Sequence, residues 1–205
     1  MFANDFDILC SMNLNYITPW VAVLGCFLGL LWVDAWQYSR SALESGHWWV
    51  MLSGHFAHGN LPHTLVNAAG LLLATLLAPH WMNRWTGLLV LALLSILLSG
   101  AIHFGQPDVA IYRGFSGTLH GWVLLAIVLS PHLSRPWQTA LAALIGIKLS
   151  GEKWLQAGQS MPSYLGDLTG EVLTVAHLYG AVLGAMVAAF VLLASHLGLY
   201  RPRLR

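Results

Sequence analysis

Six apolar runs, separated by short breaks rich in Pro, Gly, Arg and His, constrain this chain more than any other feature. They are Ile17–Val33, Pro62–Ala78, Gly87–Phe104, Gly114–Leu129, Trp137–Leu149 and Val172–Leu199. A helix that crosses a bilayer needs about 20 predominantly apolar residues. Several of the runs fall short of that, and the fifth is the weakest, so five spans plus a partial helix also fit. Composition points the same way: only 8% of the 205 residues are charged and 57% are hydrophobic, against about 25% charged in an ordinary soluble domain. So few charges cannot cover a water-facing surface. A net charge of +1 leaves no basic stripe for nucleic acid, and the apolar content excludes disorder. Trp20, Trp32, Trp36, Trp48, Trp49, Trp81, Trp85, Trp137 and Trp154 sit at the ends of runs, as an interfacial aromatic belt requires. The expectation is an all-α membrane protein, one six-span helical bundle over residues 1–205 with the lipid bilayer as its solvent.

Residues 1–15 contain Asp5 and Asp7 but no Lys or Arg, unlike the basic start of a cleavable signal peptide. Cys10 and Cys26 form neither a disulfide framework nor a zinc site by spacing. Orientation follows from basic residues near the spans. With the N-terminus inside, the inner segments carry Arg84, Arg135, Arg201, Arg203 and Arg205, and the outer ones Arg40, Arg113, Lys148 and Lys153. The arginine-rich tail decides it, and both termini are expected to be cytoplasmic.

Ionisable and polar residues inside spans are costly and therefore mark function by default. Three clusters open spans two, four and six: His55 to His63 followed by Asn67, Tyr112 to Gly117 followed by His120, and Ala176 to Gly180. Even-numbered spans run in one direction, so these clusters lie on the same side of the membrane. Ser116 stands where a helix begins, and a helix N-terminus offers unsatisfied N–H donors and partial positive charge, which suits chemistry that creates an oxyanion. A serine hydroxyl needs a base, and His177 is at matching depth. Asn67 falls four residues after His63, on one face of span two; an amide and a neutral imidazole are both suitable oxyanion donors. Gly117 and Gly121 on span four, and Gly180 and Gly184 on span six, form small-residue stripes that allow close helix approach. His177, Gly180 and Gly184 share a face, so the stripe turns His177 toward span four. Glu171 lies about 240° around the helix from His177 and faces elsewhere, so the expectation is a Ser–His dyad without a carboxylate.

These motifs resemble those of the rhomboid intramembrane serine proteases. Gly114-Phe115-Ser116-Gly117 is similar to the family's GxSG; His58, His63 and Asn67 match HxxxxHxxxN; Ala176, His177, Gly180 and Gly184 match AHxxGxxxG. By this resemblance the fold is the six-span rhomboid-like bundle, Ser116 is the nucleophile and His177 the base. His63, Asn67 and the Ser116 backbone N–H form the oxyanion hole, and His58 is structural. No cofactor or metal is implied. The position four after the serine, often aromatic in the family, is His120 here. The run Tyr112 to Gly121 is similar to the rhombosortase branch. That implies single-span substrates exported by bacteria, tagged at the C-terminus with Gly-Gly, a hydrophobic span and basic residues, and an inner (plasma) membrane location.

Other readings stand beside this one. An inactive rhomboid-like protein that binds membrane clients would have no need of both Ser116 and His177. A metal or haem protein is suggested by ten histidines, but only His58, His63, His120 and His177 converge. His120 either stacks on His177 or fills space. Arg113 either reaches headgroups or holds an anionic group near Ser116, for instance an acceptor for acyl transfer. His55 reads as structural; His80, His132 and His196 read as interfacial.

Overall fold

The computed structural model describes residues 16–158 and 173–199. The expectations about residues 1–15, Glu171 and the tail arginines lie outside the described residues. Six long helices carry the fold: α1 Ile17–Leu31, α2 Leu61–Leu77, α3 Trp85–Gly105, α4 Ser116–Val128, α5 Arg135–Gly158 and α6 Thr174–His196. They correspond one to one with the six apolar runs. Helices α3 and α6 are long and apolar enough to cross a membrane, and α1, α2 and α4 are shorter apolar helices.

Local chemistry sets several of the boundaries. The Asn60 side chain accepts from the His63 backbone N–H at 2.8 Å and starts α2, with Pro62 in the first turn, where its missing N–H costs nothing. The α2–α3 connection is a single 3-10 turn, His80–Asn83. It is pinned from α1 by the Thr18 hydroxyl, which donates to the Arg84 carbonyl.

The fifth run differs from its expectation. Its helix extends to Gly158, nine residues past the expected end at Leu149, through Lys148, Ser150, Gly151 and Glu152. Hydropathy ends the span at Leu149, but the backbone hydrogen bonds of a helix do not depend on hydropathy, and no proline interrupts them.

The arrangement is layered around α4. Its buried residues include Gly117, Thr118, Leu119, Gly121, Trp122, Leu125 and Ala126. It packs most extensively on α6, and also against α2, α3 and α5. Trp122, Phe115, Leu71, Leu91, Leu94 and Leu125 form the centre of the apolar core. The outward faces stay apolar: Leu89, Leu93 and Ile96 of α3 and Val182, Met186 and Phe190 of α6 are all exposed. These stripes recur every three to four residues. Such apolar surface is tolerated when lipid rather than water covers it.

The segment between α1 and α2 is folded rather than loose. It contains helical turns Val33–Trp36, Arg40–Glu44 and Val50–Ser53. Its two-residue strand β1, Tyr38–Ser39, pairs antiparallel with β2, Ile111–Tyr112, in the register Tyr38↔Tyr112. This ties the first loop to the chain that enters α4. A directional hydrogen-bond chain adds a second tie. Ser99 Oγ donates to the Met51 carbonyl and accepts from His55 Nε2 at 2.9 Å. His55 Nδ1 in turn accepts from Thr118 Oγ1 at 2.9 Å, and Thr118 contacts Ser95. Every member of this buried chain is satisfied, as burial of polar groups demands.

Candidate active site

The approach to Ser116 depends on Gly114. Its φ is +112°, a region that side-chain-bearing residues rarely adopt. A Cβ there would also lie 2.9 Å from Cε1 of His63. Gly114 is held from both sides: its N–H donates to the Gly54 carbonyl at 3.2 Å, and its carbonyl accepts from the Tyr112 hydroxyl at 2.9 Å. The chain therefore enters α4 in one conformation, with Ser116 as the first helical residue. The first N–H groups of α4 have no partner within the helix.

The glycine stripes bring α4 and α6 into backbone contact. A Cβ on Gly180 would land on the Gly117 carbonyl, and one on Gly184 on the Gly121 carbonyl. This approach sets the depth and direction of His177 on α6. Its Nε2 lies 3.0 Å from Ser116 Oγ, inside the range of about 2.6–3.2 Å that proton transfer requires. The His177 side chain is 7% exposed.

The structure differs from the expectation of a pair without a carboxylate. His177 Nδ1 is 2.9 Å from Glu152 Oε2 on α5. The carboxylate accepts, so Nδ1 carries the proton and Nε2 is left as acceptor for the Ser116 hydroxyl, the tautomer a base needs. Lys148, one turn earlier on α5, donates to Glu152 Oε1 at 2.5 Å and to His120 Nε2 at 2.8 Å. His120 Nδ1 donates to the Ser116 carbonyl at 2.7 Å. Neither Glu152 nor its pairing with Lys148 was legible from hydropathy, because both residues lie at the polar end of α5. The available signal was their spacing of four, which places them on one face if the helix continues.

The second cluster gathers under the first loop. His58 Nδ1 donates to the Phe56 carbonyl at 2.8 Å, so its Nε2 accepts from the Asn67 amide at 2.9 Å. Burial pushes His58 down to about 4, which keeps it neutral and able to accept. One Asn67 N–H is thereby fixed, and the other has no partner among the described residues. His63 packs edge-on against His58 with ring centres 5.1 Å apart, and its ring borders Gly114. Arg113 is exposed, and its guanidinium lies over Gly59, 3.4 Å from where a Cβ would stand.

His120, Glu152 and His177 also present one ligand atom each within 4.8 Å of one another, the spacing of a metal site. The cation in this cluster is the Lys148 ammonium, which already occupies His120 Nε2 and Glu152 Oε1.

The candidate site thus joins a serine and a histidine across two close-packed helices, next to a histidine and an asparagine under a folded loop. The family model for the Rhomboid domain matches residues 45–194, and the chain belongs to the rhomboid family. That family is membrane-embedded and is generally one of serine intramembrane proteases, which are hydrolases. No curated protein matches the chain.

Proposed function

We propose that this protein is an active intramembrane serine protease in which Ser116 attacks the scissile carbonyl and His177 takes its proton. The observation that carries this reading is the 3.0 Å contact between Ser116 Oγ and His177 Nε2, with Nδ1 protonated toward Glu152. His63, Asn67 and the Ser116 N–H are assigned to the oxyanion. The assignment is supported by the unpaired first N–H groups expected at the start of α4 and by the His58 bond that holds the Asn67 amide, since donors held in advance need little reorganisation as charge develops.

The 13 residues of α4 extend about 20 Å, less than the roughly 30 Å of bilayer hydrocarbon. If Val128 reaches one face, Ser116 lies beneath the other. With both termini cytoplasmic, that other face is the outer one. The substrate is then a single-span protein cut near the outer surface of a bacterial inner membrane. The similarity of Tyr112 to Gly121 to the rhombosortase branch suggests a C-terminal Gly-Gly tag as the cleaved element. An acyl-enzyme can be released by any nucleophile that reaches it. Arg113, exposed beside Gly59, is assigned to a phosphate-bearing acceptor held by charge-assisted hydrogen bonds, and acyl transfer is proposed over plain hydrolysis.

The test uses purified protein in liposomes with a single-span reporter carrying a Gly-Gly tag. Ser116→Ala and His177→Ala should each abolish cleavage, and the double variant should be no slower, because the pair acts as a unit. Normal turnover by Ser116→Ala would refute the reading. Mass spectrometry of the new C-terminus distinguishes transfer from hydrolysis. An added phosphate-containing group that is diminished in Arg113→Ala supports transfer, and a free carboxylate in both proteins refutes it.

A further inference from the structure

Ser116, His177, Glu152, Lys148 and His120 form a closed ring of contacts. Ser116 Oγ meets His177 Nε2; His177 Nδ1 meets Glu152 Oε2; Glu152 Oε1 meets Lys148 Nζ; Lys148 Nζ meets His120 Nε2; and His120 Nδ1 returns to the Ser116 carbonyl. The direction of every bond is determined. An ammonium only donates, and carboxylates and carbonyls only accept.

Helix stability does not account for the Lys148–Glu152 pair. Lys before Glu is the weaker order for such a pair in a helix, and the Lys148 side chain is 51% exposed, where ion pairs contribute little. The Glu152 side chain is only 20% exposed, and its two oxygens are divided between the lysine and the histidine. A carboxylate at this depth requires a purpose beyond solubility.

We propose that Glu152 is a positioning residue for His177 and that Lys148 holds it in place, so that α5 supplies the third member of the reactive centre. This rests on the reading of Ser116 and His177 as the reacting groups. As the Ser116 Oγ–carbon bond forms, the hydroxyl proton passes to His177 Nε2. The imidazolium keeps its Nδ1 proton against the ionised Glu152. When the scissile carbon–nitrogen bond breaks, its electron pair stays on nitrogen, which takes the proton from Nε2. Glu152 remains ionised throughout and fixes the tautomer at the start.

The arrangement makes an unusual demand on Glu152→Gln. Lys148 can only donate, so it captures the amide oxygen and leaves the NH2 facing His177 Nδ1. That forces the proton onto Nε2 and closes the acceptor site for the Ser116 hydroxyl. In Glu152→Gln paired with Lys148→Met the amide is free to flip and offer its oxygen to Nδ1–H.

The experiment compares wild type, Ser116→Ala, Glu152→Gln and the Lys148→Met/Glu152→Gln double variant, all full-length in liposomes, with Tm as a folding control. Glu152→Gln should lower kcat by about 10²–10⁴ with KM within about threefold and Tm unchanged. The double variant should recover at least about tenfold of that loss, which a merely structural carboxylate cannot produce. Wild-type kcat in Glu152→Gln, or a double variant no faster than the single one, overturns the proposal while leaving Ser116 and His177 as the pair. Activation of wild type by zinc with loss on chelation also overturns it, because the cluster would then serve a cation. Turnover by Ser116→Ala brings down the underlying reading and this proposal with it.

Discussion

The imidazole of His120 lies flat on that of His177, ring centres 4.2 Å apart and planes inclined by 19°. His120 is anchored at both ends, by the Ser116 carbonyl and by Lys148. His177 thus has a fixed plane on one face as well as a fixed partner at each nitrogen. Rotation about its side-chain bonds would break the stack and both hydrogen bonds together.

His120→Ala removes the stack. A displacement of about 1 Å in a reacting group can cost roughly 10²-fold in rate, and kcat should fall by about that much. His120→Phe keeps the stacked plane but not the anchors, and should stay within about tenfold of wild type. Equal losses in the two variants would assign the role to the hydrogen bonds instead.

His63→Ala and Asn67→Ala should each lower kcat by about 10²–10³, the usual loss of one oxyanion donor. Their effects on stability should differ. Asn67→Ala also strips the buried His58 Nε2 of its donor, and an unsatisfied buried acceptor costs about 1–3 kcal/mol. Among the described residues the His63 side chain makes no such bond, so its variant should keep the wild-type Tm. The pair of kcat and Tm values checks both statements.

Gly180→Ala should abolish activity in a protein that still inserts and purifies. Its methyl group would meet the Gly117 carbonyl, so α6 must move away from α4 and take His177 with it. Gly146→Ala on α5 is the control: no described residue lies within 4 Å of the added carbon, and turnover should be that of wild type. Full activity in Gly180→Ala would mean that α4 and α6 can repack without disturbing the Ser116–His177 distance.

Acid should destabilise the protein through the first loop. Burial lowers His55 and His58 from 6.5 to about 4. Between those values the unfolded chain binds protons that the folded chain refuses. Their contribution to stability is therefore complete above about 6.5, declines as pH falls toward 4, and is gone below it. Thermal unfolding in detergent should show Tm falling across that interval. A flat Tm from pH 7 to 4 would show that neither ring is held neutral.

Much of the architecture was legible without coordinates, because the terms that determine it are local or periodic. Six apolar runs became six helices, since a segment in lipid must satisfy its own backbone. The stripes Gly117/Gly121 and Gly180/Gly184 identified two faces able to approach, and the spacing of His63 and Asn67 placed them on one face of α2. What hydropathy obscured was the far end of α5: the polar residues that end an apolar run do not end a helix. Glu152 and Lys148 therefore lie outside the site that hydropathy and spacing define, and the carboxylate nearest to His177 along the chain is Glu171.

The sequence by itself determined the class of solvent, the six long helices among the described residues, the family motifs and which residue types could do the chemistry. Tertiary structure alone decided the distances and hydrogen-bond directions: that Ser116 and His177 stand 3.0 Å apart, and that a carboxylate from α5 selects the His177 tautomer. The reason is geometric. Periodicity along one helix says which side chains share a face. Whether side chains 25 and 61 residues apart meet at hydrogen-bond length depends on how closely three helices pack, and that closeness is a property of the assembled bundle.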